Sequence, residues 1–180
     1  MSQLTGYLTK PRSRAFFAHG GYHDLGWTPS SMDIQMLTGP IDFLIQDEET
    51  GGALASVGHP QFKALDEYGT DRWVRTSVEA GKPLTMKWVI EREPEETVFC
   101  YYITHAGYDP AQPLTRSAFD IKGIAKGFAR VEHNPEVDGE AVTHTVDLPA
   151  DRKGPHVIIA SAYFSKVGIH LYNVADIDIK

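Results

Sequence analysis

Between residues 84 and 91 the chain alternates with a period of two. Leu84, Met86, Trp88 and Ile90 fall on one side, and Thr85, Lys87 and Glu91 on the other. That is the pattern of a strand with one face in a core and the other in water. Val98–Thr104 (VFCYYIT) is a run of aromatic and β-branched residues and predicts a strand buried on both sides. Further strands are predicted over Gly6–Thr9, Arg72–Val78, Gly127–Glu132, Ala141–Leu148, His156–Phe164 and Ile169–Ile179. Turn-forming clusters separate most of them: Ala80-Gly81-Lys82-Pro83, Asn134-Pro135, Asp138-Gly139 and Lys153-Gly154-Pro155. Short strands punctuated in this way predict an all-β fold, an antiparallel β-sandwich of immunoglobulin- or fibronectin-III-like type.

The stretch between the first strand and Arg72, about sixty residues, lacks regular alternation. A connection of that length usually carries short helices or a function of its own. It contains Ala18-His19-Gly20-Gly21-Tyr22-His23, Trp27 and the pair Gly51-Gly52. The reading is one domain over 1–180, with a partly helical insertion over about 11–71 packed against one end of the sandwich.

Charge and composition narrow the partners. Lys and Arg total 17 against 24 Asp and Glu, a formal charge of -7, so the phosphate backbone of a nucleic acid is a poor match. No apolar run approaches the ~20 residues of a membrane-spanning helix. The single cysteine, Cys100, permits no internal disulfide. It lies mid-strand among aromatics and reads as a small buried side chain. The opening MSQLTGYLTKPRSRAFF lacks the apolar core of a secretory signal. The expected location is cytoplasmic, or outside the cell by a route without a cleaved signal.

Several segments then fall into a familiar order. Gly6-Tyr7, Pro11 and Ser13-Arg14 open the chain, and Ala64-Leu65-Asp66-Glu67 and Asp71-Arg72-Trp73 follow. Next come Tyr101-Tyr102-Ile103-Thr104, Tyr108-Asp109-Pro110 and Gln112-Pro113-Leu114. Leu148-Pro149-Ala150-Asp151-Arg152, His156-Val157-Ile158 and Tyr172-Asn173-Val174 with Asp176 close the series. From Gly6 to Ile179 the chain resembles the bacterial lytic polysaccharide monooxygenases, the chitin-binding proteins of auxiliary activity family ten.

The resemblance implies a copper ion held by an N-terminal histidine, through its amine and ring, and by a second histidine on a strand. Imidazole and amine nitrogens suit copper. Here Thr5 precedes Gly6-Tyr7, with Met1–Leu4 before it, and the second position, six residues after Trp88, is Pro94. Arg92 stands where the family keeps a small residue beside the metal, and Leu171 replaces the flanking aromatic. Thr5, Arg92, Pro94 and Leu171 are therefore expected to mark a degenerate copper site, with no cofactor and no catalytic residue. The cysteines of secreted members are also replaced, with Phe17–Ala18 and Val146 near their positions.

Other candidates remain. His19 and His23 form an alternative metal pair, although Gly20-Gly21 between them disfavours the helix that would align the rings. Tyr22, His23 and Trp27 are a candidate stacking platform for sugar rings, against a plain core role for Trp27. Arg92, Glu93 and Glu95 are a candidate binding patch, against a solvated loop. Trp73 and Trp88 read as core, and His144 and His156 as structural. The leading function is a non-catalytic binding protein for chitin or a related carbohydrate, with a virulence or interaction role and a protein partner in the same class. The alternatives are an atypical copper-dependent polysaccharide monooxygenase with a rebuilt site, and a structural subunit of a larger assembly.

Overall fold

The fold is described from a computed structural model for residues 6–19, 36–40, 42–45, 53–90, 97–119, 121, 127–132, 136–139 and 141–180. Strands β1 (Gly6–Lys10), β4 (Pro83–Ile90), β7 (Glu136–Asp138) and β8 (Ala141–Asp147) form one sheet in the order β1-β4-β8-β7. The other sheet runs β2 (Thr38–Gly39), β10 (Ile169–Ile179), β9 (Gly154–Phe164), β5 (Thr97–Ile103) and β6 (Ala129–Val131). β3 (Thr76–Val78) joins β10 beside its C-terminal end, so β2 and β3 lie along the same outer edge of β10.

The alternation of β4 holds. Met86, Trp88 and Ile90 are buried between the sheets with Leu8, Phe99, Tyr101 and Val142. The apolar run of β5 is covered on both faces: Phe99, Tyr101 and Ile103 enter the inter-sheet core, while Cys100 and Tyr102 enter a second core. Three sequence expectations change. The 72–78 strand shortens to Thr76–Val78 and pairs in parallel with β10, the one parallel pairing in a sandwich whose other described ladders are antiparallel. The 127–132 strand shortens to Ala129–Val131. β2 and β7, too short for a periodic signal, were not predicted.

Between β1 and β3 the described residues form a helix α1 (Arg14–His19) and 3-10 turns at Phe43–Ile45 and Pro60–Asp66. Their apolar side chains, among them Ala15, Leu37, Phe43, Leu54, Phe62 and Leu65, cover the outer face of the larger sheet and make the second core with Tyr172 and Val174. This irregular cover is tied down by arginines and one indole that donate to its carbonyls. Arg14 pairs with Asp176 through Nε (2.8 Å) and Nη2 (3.0 Å), and its Nη1 donates to the Leu65 carbonyl at 2.8 Å. Arg116 donates twice to the Phe43 carbonyl and Trp73 Nε1 to the Glu67 carbonyl.

Candidate functional site

Ladder registers bring several strand ends to one end of the sandwich. Gly6 of β1 faces Ile90 of β4, and Phe164 of β9 faces both Thr97 of β5 and Ile169 of β10. The Leu8 amide donates to Asn173 Oδ1 at 3.0 Å, which ties β1 to β10 across the two sheets. Gly6 is required here: a Cβ would stand 2.7 Å from the Val89 carbonyl oxygen. The hairpin joining β9 to β10 exposes Val167 (46%) and Ile169 (36%) at this end.

Leu171 belongs to this end, and it is fully buried in the inter-sheet core with Leu8 and Ile90. Its side chain offers no donor atom. The neighbouring His170 points to the opposite face of β10. There it lies between Tyr163 (ring centroids 4.5 Å) and Tyr172 (5.3 Å, 8° between planes). Its Nδ1 is 2.9 Å from Ser161 Oγ, and its Nε2 is buried with no partner. Burial pushes this imidazole down to about 4, because charging it there forfeits hydration. No sequence signal singled out this stack; it arises because Tyr163 and His170 are cross-strand partners.

His19, at the end of α1, packs against the Tyr7 ring at 4.7 Å and 36°. Thr5, Tyr22, His23, Trp27, Arg92, Glu93, Pro94 and Glu95 lie outside the described residues. Among the described residues no group of three His, Cys, Asp or Glu side chains gathers to hold a metal, and no helix is long and apolar enough to cross a membrane.

His144 and His156 have internal partners. Trp88 Nε1 donates to the Tyr101 hydroxyl at 2.9 Å, and that hydroxyl lies 2.6 Å from His144 Nε2. Desolvation holds His144 down to about 4 and pushes the Tyr101 hydroxyl up. His156 Nδ1 meets the Thr104 hydroxyl at 2.7 Å, and Thr104 Oγ1 accepts the Val157 amide at 3.1 Å. These contacts give His144 and His156 structural places. Cys100 is buried, and burial raises its thiol pKa, so it is poorly suited to nucleophilic chemistry.

Residues 6–177 match the sequence profile of a family described as lytic polysaccharide mono-oxygenase, cellulose-degrading. The chain belongs to the lytic polysaccharide mono-oxygenase family. It is similar to a lytic chitin monooxygenase of Enterococcus faecalis, 33% identical over 182 residues, covering 100% of this chain and 88% of that protein. GlcNAc-binding protein A of Vibrio cholerae is 34% identical over 143 residues, covering 79% of this chain. This chain spans only 28% of that longer protein. Among solved structures, a polysaccharide monooxygenase CBM33 studied by X-ray photoreduction matches with a TM-score of 0.76 at 32% identity, covering 97% of this chain and 99% of that one. Bacillus amyloliquefaciens CBM33, solved in complex with Cu(I) after photoreduction, matches with a TM-score of 0.72 at 26% identity, covering 97% of this chain and 99% of that one. These likenesses bear out the sandwich and the family expected from the residue order.

Proposed function

We propose that this member of the monooxygenase family is a binding protein for chitin or a related N-acetylglucosamine polymer and carries out no oxidation. The relatives named for chitin and for GlcNAc support the ligand class. The observation that carries the non-catalytic part is the donor set. The positions that the resemblance assigns to the copper histidines hold Thr5 and Pro94, and the flanking position holds Leu171. A proline side chain and a buried leucine supply no ligand atom, and a threonine hydroxyl is a poor substitute for imidazole at copper. These residues do not fit a copper ion, so no oxidative step is assigned to them. The reading takes 1–180 as one domain with the insertion over about 11–71, and places carbohydrate contacts at the end bearing Val167 and Ile169.

Pull-down on chitin and cellulose tests the ligand. Retention on chitin is expected, and passage through every polysaccharide would overturn the reading. Calorimetry with Cu(II) tests the chemistry, because an oxygenase rebuilt around histidine predicts stoichiometric copper and oxidised oligosaccharides with a reductant. The packing of His19 against Tyr7, next to Gly6, makes His19 the histidine to replace in that experiment. Copper binding lost on replacing His19 and His23 together would establish the rebuilt site; binding that is weak and insensitive to both would remove it.

A further inference from the structure

Away from the end just described, an open groove of about 660 Å³ lies between β1 and β4 of one sheet and β3 of the other. Its size falls within the roughly 300–1,000 Å³ of small-ligand sites. Four cations line it, Lys10, Arg12, Arg75 and Lys87, and among the described residues no Asp or Glu does. In a chain with 24 acidic residues against 17 basic ones, such a lining runs against composition.

Among the described residues all four cations are at most partly committed. Arg75 is shared, with Nη1 3.7 Å from Asp176 Oδ1, which Arg14 already holds, and 3.4 Å from the His156 carbonyl oxygen. Arg12 stacks over Phe16 at 5.9 Å, which leaves its guanidinium edge open. Lys10 and Lys87 are direct cross-strand partners, placed opposite one another by the irregularity between Leu8 and Lys10. Like charges in that relation repel, and no acidic side chain among the described lining residues relieves them. An anion seated between them would.

The remaining lining sets the rest of the ligand. Val74 is 48% exposed, and Phe16 and Leu84 add apolar surface. Thr76, Ser77 and Thr85 bring hydroxyls that both donate and accept. Apolar faces, hydroxyls and unopposed cations together match a sugar ring carrying an acidic group. The geometry points to a second carbohydrate site, in which this groove binds an acidic oligosaccharide through its carboxylate or sulfate at Lys10, Arg12 and Lys87. The site is separate from the chitin-binding end and does not depend on it.

The test is an amide-resolved NMR titration of the whole chain with three probes: a uronate-containing disaccharide, a sulfated disaccharide and neutral chitobiose. An oligoglutamate peptide is run beside them. At least one acidic disaccharide is expected to bind saturably, shift Lys10, Thr76 and Lys87, and weaken as salt is raised. Which of the two does so identifies the acidic group. K10Q/K87Q is expected to lower that affinity about tenfold, the scale of losing charge-assisted contacts, whereas K10R/K87R retains it. Chitobiose binding as well as the acidic sugars, affinity unchanged in K10Q/K87Q, or tighter binding of oligoglutamate would each overturn the proposal. Thermal melts of both variants check the fold. Chitin retention unchanged in K10Q/K87Q separates this site from the proposed polymer surface, so either reading can fail alone.

Discussion

The two faces of the six-stranded sheet solve the same burial problem with different chemistry. One face meets the second sheet, and its contacts are almost wholly apolar: Ile158, Ala160, Ala162, Leu171, Ala175 and Ile177 against Leu8, Met86, Trp88 and Val142. The partner there is also a ladder, so its backbone groups are already paired and the side chains need only fill space. The other face is covered by loops, a six-residue helix and short 3-10 turns. Their carbonyls have no ladder, and buried arginines reach in to satisfy them: Arg14 at Leu65 and Arg116 at Phe43. Irregular cover therefore brings charge with it, and Asp176 is the counter-ion that makes Arg14 tolerable there.

The largest expected effect strikes the loop-covered face. Asp176→Ala leaves Arg14 buried without its carboxylate and is expected to cost about 3–5 kcal/mol, read as a fall in the urea midpoint. If Arg14→Met with Asp176→Leu proves as damaging as the single change, ionic anchoring is not what distinguishes this face. On the ladder-covered face, Tyr101→Phe removes the hydroxyl shared by Trp88 and His144 and leaves both nitrogens in the core. A loss of about 1–3 kcal/mol is expected. A negligible loss would mean that this polar network is incidental to the apolar packing.

Titration probes both faces together, since His144 sits beside Tyr101 and His170 beside Tyr172. Each imidazole falls to about 4 in the folded chain from an ordinary value near 6.5. The unfolded chain then binds more protons between those values, so stability is full above about 6.5 and declines as pH falls toward 4. About 1–2 kcal/mol per histidine is expected to go between pH 7 and pH 5, and His144→Gln is expected to flatten part of that slope. A slope unchanged by both His144→Gln and His170→Gln would assign it to other groups. The smallest effect concerns Cys100, which faces the loop-covered core. Iodoacetamide is expected to leave it unmodified until urea unfolds the chain; rapid labelling in native buffer would show that the irregular cover opens where the sheet-on-sheet core does not.

Much of the sandwich was legible in the residues because each long strand carries its own signal. Leu84–Ile90 alternates, and Thr97–Ile103 and β9 are largely apolar, since each strand sees a core on one or both faces. The order of motifs from Gly6 to Ile179 pointed to the family before any contact was known. Within the candidate site, Leu171 was found by its position in that order, whereas Tyr163, stacked on His170, carried no local pattern, and neither did the separate Lys10–Lys87 groove.

Sequence by itself determined the long strands and the absence of an internal disulfide, because periodicity and composition are local properties of the chain. Tertiary structure alone decided the parallel pairing of β3 with β10 and the bond of Arg14 to an aspartate 162 residues away. It also decided the meeting of two lysines across adjacent strands. Those depend on which segments chain closure brings side by side, and no window of sequence contains both partners.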